Sequence, residues 1–479
     1  MSIALGELLV RERLITTAQL NAALVQQRAG GGRLGDALVT QGALSAQDLG
    51  RFFHTVPPVP RTVAQTGLSE TFLTDLMLKT AYFNGQVFSI PDMSRQMSLP
   101  SAVVDELAEL AKTDRLIAVR SGSGYSQLSY VFTLTDFGLE RTEKALRQSQ
   151  YIGPAPVPLL PYRLMVAHQT VRQIEIDADW IRRAMSHLVT SPTLLEQLGA
   201  AFNSGRSIFL YGPAGTGKSS IAEALGRALN GNVYIPYAVE ADGQIIRVFD
   251  PTVHIAVDDE TPDVPAPLSL ESAVKHDPRW RLCHRPVVVV GGELTLEGLR
   301  LEYDPVNKFY QCPAHMKAAN GVFILDDFGR QQVEPRQLLN RWMVPLERGT
   351  DFMDLHNGKK LEIPFDQITI FSTNLNPREL VDQAFLRRIR HKVHIPHQTE
   401  AEFLEILQRV CQAQGIDYRA EAAAYLVKTY YLDKARAFTG SHPRDLVEQI
   451  IDRARFLRQV PALSIASIDA AASNYFVDF

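Results

Sequence analysis

The chain has 479 residues, with 49 basic against 53 acidic side chains, a formal net charge of −4 and a pI near 6.3, so no overall basic field marks it for nucleic acid. Apolar residues make up 46% and charged residues 21%, which excludes a disordered or fibrous chain. Wholly apolar runs such as Val287 to Val290 fall far short of the roughly 18 residues a bilayer span needs, and Cys283, Cys312 and Cys411 are too few for a disulfide framework. Arg11, Glu12 and Arg13 interrupt the N-terminus where a secretory signal would be apolar. The expectation is a soluble cytoplasmic protein, without membrane insertion, in a reducing compartment.

Residues 1–56 hold an imperfect repeat. Leu5-Gly6-Glu7-Leu8-Leu9-Val10 returns 29 positions later as Leu34-Gly35-Asp36-Ala37-Leu38-Val39, and Leu20 and Leu49 occupy the same place in each copy. Each copy reads as a short helix, a turn and a longer amphipathic helix that buries its apolar face on the other. The pattern resembles the N-terminal domain of the ATPases of type II secretion and type IV pilus assembly, some of which bind cyclic di-GMP through paired RLG motifs. Arg33-Leu34-Gly35 keeps that motif in the second copy. Ala4 replaces the first arginine and Val56 stands opposite Gln27, so the resemblance implies protein docking ahead of cyclic di-GMP binding.

Residues 57–150 read as helices near Glu70 to Phe83, Pro91 to Met97 and after Ser98-Leu99-Pro100, then strands Leu116 to Arg120 and Leu128 to Leu134 and a last helix from Asp136. The Ser121-Gly122-Ser123-Gly124 turn joins the two strands, and Phe132 to Arg141 resembles the end of many bacterial winged-helix domains. That fold usually reads DNA with its third helix and wing. Here the third helix carries Asp105, Glu106 and Glu109 against Lys112, and the whole segment has nine basic and ten acidic residues. Near phosphates an acidic helix loses affinity, so protein contact is expected and nucleic acid is not. Residues 151–166 follow as a linker, with four prolines in the nine residues from Gly153 to Pro161.

Beyond it, strand and helix patterns alternate, the signature of a parallel sheet with covering helices. Ser207 to Leu210 is an apolar strand leading into Tyr211-Gly212-Pro213-Ala214-Gly215-Thr216-Gly217-Lys218-Ser219, with a helix from Ser220. This is a phosphate loop in its required strand–loop–helix context. The glycines let backbone N–H groups face phosphates, Lys218 reaches the β and γ phosphates of ATP, and Ser219 is a Mg²⁺ ligand. Gly321 to Asp327 is a second buried strand ending in two carboxylates, with Asp326 expected in the Mg²⁺ shell and Asp327 as the group orienting the attacking water. Gln367 to Asn374 is a third strand, whose terminal Asn374 can hold that water. Arg387, Arg388 and Arg390 form a basic cluster before the strand Lys392 to Ile395, and Arg444 opens a helix in the C-terminal segment.

This set resembles the AAA+ ATPases over residues 167–479. The resemblance implies Walker A at 212–219, Walker B at 322–327, sensor 1 at Asn374, an arginine finger at Arg387 or Arg388, and sensor 2 at Arg444. The hairpin around Asn357-Gly358 leading into the strand ending at Asn374 is similar to the MoxR-like branch. The implied fold is α/β: a P-loop AAA+ core with a parallel five-stranded sheet at 167–396, bearing an insertion at about 235–320, and a helical lid at 397–479. A small all-α repeat domain and a winged helix precede it. Most relatives have Glu where Asp327 stands, there is no GAFTGA string, and no aromatic-Val-Gly pore loop is evident. Zinc at Cys283, His284, Cys312 and His315 is not expected, since neither pair has a common finger spacing.

The resemblance implies ATP hydrolysis in a self-assembled ring, a hexamer by analogy, in which a neighbour's arginine completes each site. The work would be remodelling or regulation of a protein client, in a secretion or pilus-type system if the N-terminal likeness extends that far. Two other functions suit the same sequence: an ATPase targeted to DNA by its winged helix, and a non-hydrolysing ATP-dependent scaffold switch, given the short Asp327.

Overall fold

The computed structural model describes residues 9–10, 14–30, 34–44, 56–122, 130–257, 276–380 and 387–476. Arg33 and the acidic, proline-rich run from Asp258 to Pro267 lie outside these. At the N-terminus the helices Thr17–Gly30 and Leu34–Thr40 pack together through buried Leu20, Ala23, Leu34 and Leu38.

The next unit runs helix Glu70–Phe83, strand Val87–Ser89, helices Ile90–Met97 and Ser101–Thr113, strands Ile117–Gly122 and Tyr130–Leu134, and helix Asp136–Gln148. Ser69 and Ser89 cap two of these helices by accepting from the N–H groups of Phe72 and Asp92. Its sheet is antiparallel in the order Val87–Ser89, Tyr130–Leu134, Ile117–Gly122; the short first strand was not evident in the sequence. Buried Leu73, Met77, Leu107 and Phe132 form its core.

The proline-rich stretch is built into the fold and is no spacer. Val157–Pro158 pairs in parallel with Val239–Glu240, and Leu159–His168 is a helix with Tyr162 and Met165 buried. Proline is tolerated in a helix's first turn, where its missing N–H is not needed, so these residues make a strand-to-helix corner. The corner is locked by Arg279, which is buried, chelates Asp277 (Nη2–Oδ2 2.8 Å), and donates to the carbonyls of Thr66 at 2.9 Å and Pro156 at 3.2 Å.

Five parallel strands make the core sheet: β1 (Ile208–Tyr211), β2 (Val287–Val290), β3 (Val322–Leu325), β4 (Ile368–Thr373) and β5 (His391–His394), in the spatial order β2-β3-β4-β1-β5. Alternation along each strand builds two cores. Ile208, Leu210, Ile324 and Ile370 face the helix Lys218–Arg227, whereas Phe209, Phe323 and Phe371 pack around Trp342 of the helix Pro335–Arg348. Apolar burial on both faces is what an all-parallel sheet requires.

β2 lies inside the stretch expected to be an insertion, so the excursion from the core is two pieces and not one block. Asn232–Pro236 pairs with Trp280–His284, and a separate mixed sheet runs Glu302–Asp304, Phe309–Gln311, Gln244–Arg247, Ala238–Ala241, Val157–Pro158. Cys283 and Cys312 are buried thiols, each directed at a backbone carbonyl (Arg281 and Val248) at 3.7 Å. His315 contacts Asp351 at 3.0 Å, and Arg341 braces the same carboxylate.

The lid consists of helices Glu400–Ala413, Ala420–Val427, His442–Leu457 and Ile465–Tyr475 around Phe403, Leu407, Tyr431 and Val447. Thr399 and Glu402 form a capping box at its first turn. Among the described residues no helix is long and apolar enough to cross a membrane.

Candidate active site

β1 delivers the chain to the phosphate loop, and the loop can curl only because glycine occupies its left-handed positions. Gly212, Gly215 and Gly217 have φ of 147°, 72° and 90°. At Gly212 the constraint is also steric: a Cβ there would sit 2.1 Å from the carbonyl oxygen of Ile395, just past β5. Gly217 then opens the helix Lys218–Arg227, aiming its free N–H groups and positive dipole end into a cavity of about 790 Å³.

Ala214 to Ile221 line that cavity with Asp327, Arg330, Ser372, Asn374 and Arg444. Gly212 and Pro213 stand behind the wall, their carbonyls accepting from Lys218 Nζ at 3.0 and 2.6 Å. Burial pulls the Lys218 ammonium below the usual lysine range, and the carboxylates of Asp327 and Asp326 oppose that pull. Ser219 Oγ donates to Asp326 Oδ1 at 2.8 Å, joining the loop to the end of β3. A hydroxyl and a carboxylate in contact are the hard-oxygen donors that Mg²⁺ takes while keeping several of its waters, so this pair fits that ion.

The two carboxylates are not equivalent. Asp326 continues the strand, its N–H donating to Val290 O at 2.8 Å, whereas Asp327 has φ 48°, the left-handed region that non-glycine residues seldom occupy. The turn that follows holds it there. Phe328 N–H donates to Ser372 O at 2.7 Å and Arg330 N–H to Asp327 O at 2.9 Å. Gln331 Nε2 donates to the carbonyls of Asp326 (3.0 Å) and Asp327 (3.2 Å), and its Oε1 accepts from Gly329 N–H at 2.8 Å. Because β4 lies between β3 and β1, Asn374 just past its end sits on the cavity between the loop and the acids.

The lid closes the other side. Ser441 N–H donates to Gly215 O at 3.1 Å and Gln398 Nε2 to Thr216 O at 3.3 Å, which brings Arg444 to the cavity. Arg387 is exposed and Arg388 pairs with Glu347 at 3.4 Å; neither lines the cavity of its own chain. Sequence reading missed His187 to Thr190, Arg330, Gln398 and Arg409, which also line it. Only Arg330 carried a signal, by lying three positions past Asp327; the others come from segments with no motif of their own.

Residues 190–349 match the family described as AAA ATPase domain, and residues 399–474 match a domain of unknown function (DUF8689). The first of these matches takes in the phosphate loop and the two strand-end carboxylates Asp326 and Asp327. No curated protein matches the chain. Among solved structures it is similar to NtrX from Brucella abortus in complex with ADP, at 16% identity and a TM-score of 0.37 over 71% of this chain, and it spans 66% of that one. It is also similar to the RuvB Holliday junction branch migration motor of Thermotoga maritima, at 11% identity and a TM-score of 0.35 over 62% of this chain and 74% of that one. Domain III of the Thermotoga maritima replication initiation protein DnaA is similar at 11% identity and a TM-score of 0.34 over 64% of this chain and 100% of that one.

Proposed function

We propose that the protein hydrolyses ATP in a homo-oligomeric ring and uses the cycle to remodel or regulate a protein partner held by its N-terminal units. The observation that carries this is the 2.8 Å contact between Ser219 and Asp326, because a loop hydroxyl and a strand-end carboxylate in contact are donors suited to Mg²⁺. ATP would lie with its phosphates on the N–H groups of 214–219, and Ser219 and Asp326 would hold a Mg²⁺ that offsets phosphate charge. Asp327 would accept a proton from water held by Asn374, at the edge of the lid that carries Arg444.

Arg387 and Arg388 lie off their own cavity, and this supports delivery of one of them to a neighbour. A hexamer of the MoxR-like type in the cytoplasm is the form that follows. The winged-helix reading of 57–150 is kept with protein as its target: Glu106 of the acidic third helix accepts from Val63 N–H at 2.8 Å, tying that helix to its own domain. The docking role of residues 1–56 rests on the repeat alone, and cyclic di-GMP remains the weaker partner there.

Three measurements test the proposal. Lys218→Ala should abolish binding of a fluorescent ATP analogue, and wild-type protein should release phosphate in a single turnover at high protein concentration. Tight ATP binding with no phosphate release would replace the motor by a nucleotide switch, for which the shorter and conformationally strained Asp327 is the structural argument. Captured by a tagged Asp327→Asn chain in ATP, the client should be lost when ADP is substituted.

A further inference from the structure

Arg330 lines the same cavity as Lys218, Ser219, Asp327, Asn374 and Arg444. It is placed there by a rigid device. Its N–H is bonded to the Asp327 carbonyl at 2.9 Å, and Gln331 clamps the carbonyls of both acids and the Gly329 N–H within the same turn. The Cα of Arg330 is thus fixed relative to the two carboxylates, and a guanidinium on a flexible three-carbon stem at that position can reach what Asp327 reaches.

Two other arginines near this region are already engaged. Arg409 donates to the carbonyls of Ser186 and Leu188 at 2.9 and 3.4 Å and pairs with Glu405 at 2.6 Å, and Arg388 pairs with Glu347 away from the cavity. Among the described residues no carboxylate pairs with the Arg330 guanidinium, which is exposed to the cavity. A free, planar cation next to a phosphate loop has one evident complement, a phosphate oxyanion, which guanidinium binds in bidentate fashion.

We infer that Arg330 contacts the γ-phosphate of the nucleotide held by its own chain, a second within-chain arginine beside Arg444 and distinct from the one a neighbour would supply. The inference rests on the ATP-binding reading of this cavity. It adds that the chain tells ATP from ADP through a residue on the Walker B turn, so that loss of the γ-phosphate is felt first by the segment that positions the catalytic acids.

The test is nucleotide discrimination. In wild type, Arg330→Lys and Arg330→Ala, the affinities for ADP and for a non-hydrolysable ATP analogue are measured with Mg²⁺ present. Arg330→Ala should keep the ADP affinity and lose about tenfold in the ratio of ATP analogue to ADP, the size expected of one hydrogen bond to a charged group. Single-turnover hydrolysis should fall by roughly 10³. Arg330→Lys should fall between the two, since it keeps the charge and loses the fork. An unchanged ratio overturns the inference, as does an equal loss for both nucleotides, which would mean the turn itself had collapsed. Mixing Arg330→Ala with Lys218→Ala chains should restore no turnover, because neither chain then has a complete site. Recovery in that mixture would place Arg330 in the neighbour's site and overturn the within-chain assignment. Failure of the wild type to bind either nucleotide would be a different result, removing the ATP reading of the cavity itself.

Discussion

Replacing Gly215 by alanine probes the seat of the lid on the phosphate loop. A Cβ there would sit 2.6 Å from Thr439 Cγ2 and 2.7 Å from Ser441 Oγ, both on the lid side of the cavity. Gly217→Ala is the matched control: it too has a positive φ, 90° against 72°, yet its Cβ would meet no atom within 4 Å. Each substitution pays about 1–2 kcal/mol for a non-glycine residue in the left-handed region. Only the first adds about 1–3 kcal/mol of overpacking. The structure offers an obvious relief, which is to break the Ser441 N–H to Gly215 O bond and let the lid open. Hydrogen exchange of peptides covering 439–446, followed by mass spectrometry without nucleotide, should therefore accelerate about 5- to 150-fold in Gly215→Ala relative to Gly217→Ala. Thr439→Ser, which removes the closer clashing atom, should recover part of that difference. Equal exchange in the two glycine variants would refute the claim that the lid is docked through this contact.

Three further outcomes follow from particular contacts. Asp326→Asn should weaken the Mg²⁺ dependence of nucleotide binding while leaving Mg²⁺-free binding near wild type, as read by titration with and without a chelator; unchanged Mg²⁺ dependence would remove Asp326 from the metal site. Arg279→Met should cost about 3–5 kcal/mol, because it leaves the Asp277 carboxylate buried without its partner, and Asp277→Leu added to it should return much of the loss in thermal unfolding. Burial lowers the pKa of Lys79 to about 8 against an opposing pull from Asp75, with Nζ donating to Ser149 O at 2.9 Å. Since the unfolded chain holds that proton up to its ordinary pKa of 10.5, it binds more protons than the folded chain between pH 8 and 10.5, and the Lys79 contribution to stability rises with pH across that window. Lys79→Met should therefore be the more stable protein at pH 7, by an advantage that shrinks by about 3 kcal/mol as pH approaches 10.5; a constant difference would contradict this.

Local signals marked the candidate site. The phosphate loop, the twin carboxylates and Asn374 each close a short apolar strand, and strand, loop and helix there are set by residues adjacent in sequence. The hairpin at Asn357-Gly358 was readable for the same reason, with Gly358 at φ 81° and the Asn357 side chain accepting from Lys359 N–H. What stayed hidden depends on partners far along the chain. Val287–Val290 has no motif to separate it from the neighbouring strand Trp280–His284, and only its parallel pairing with Val322–Leu325 makes it part of the core. Val157 reads as linker until Val239 is beside it. Likewise the clamp by Gln331 becomes visible only when the turn after Asp327 closes, and Arg409 reaches the cavity by a lid helix whose docking no local pattern announces.

Subunit mixing tests the shared site most directly. Arg387→Ala and Arg388→Ala chains are each combined with Lys218→Ala chains across a range of ratios, and ATP turnover is followed. If one of the two arginines acts on the adjoining subunit's nucleotide, that variant should be inactive alone and regain turnover in mixtures, with a maximum at an intermediate ratio. Full activity of both arginine variants by themselves, or inactivity at every ratio for both, would contradict a site divided between chains.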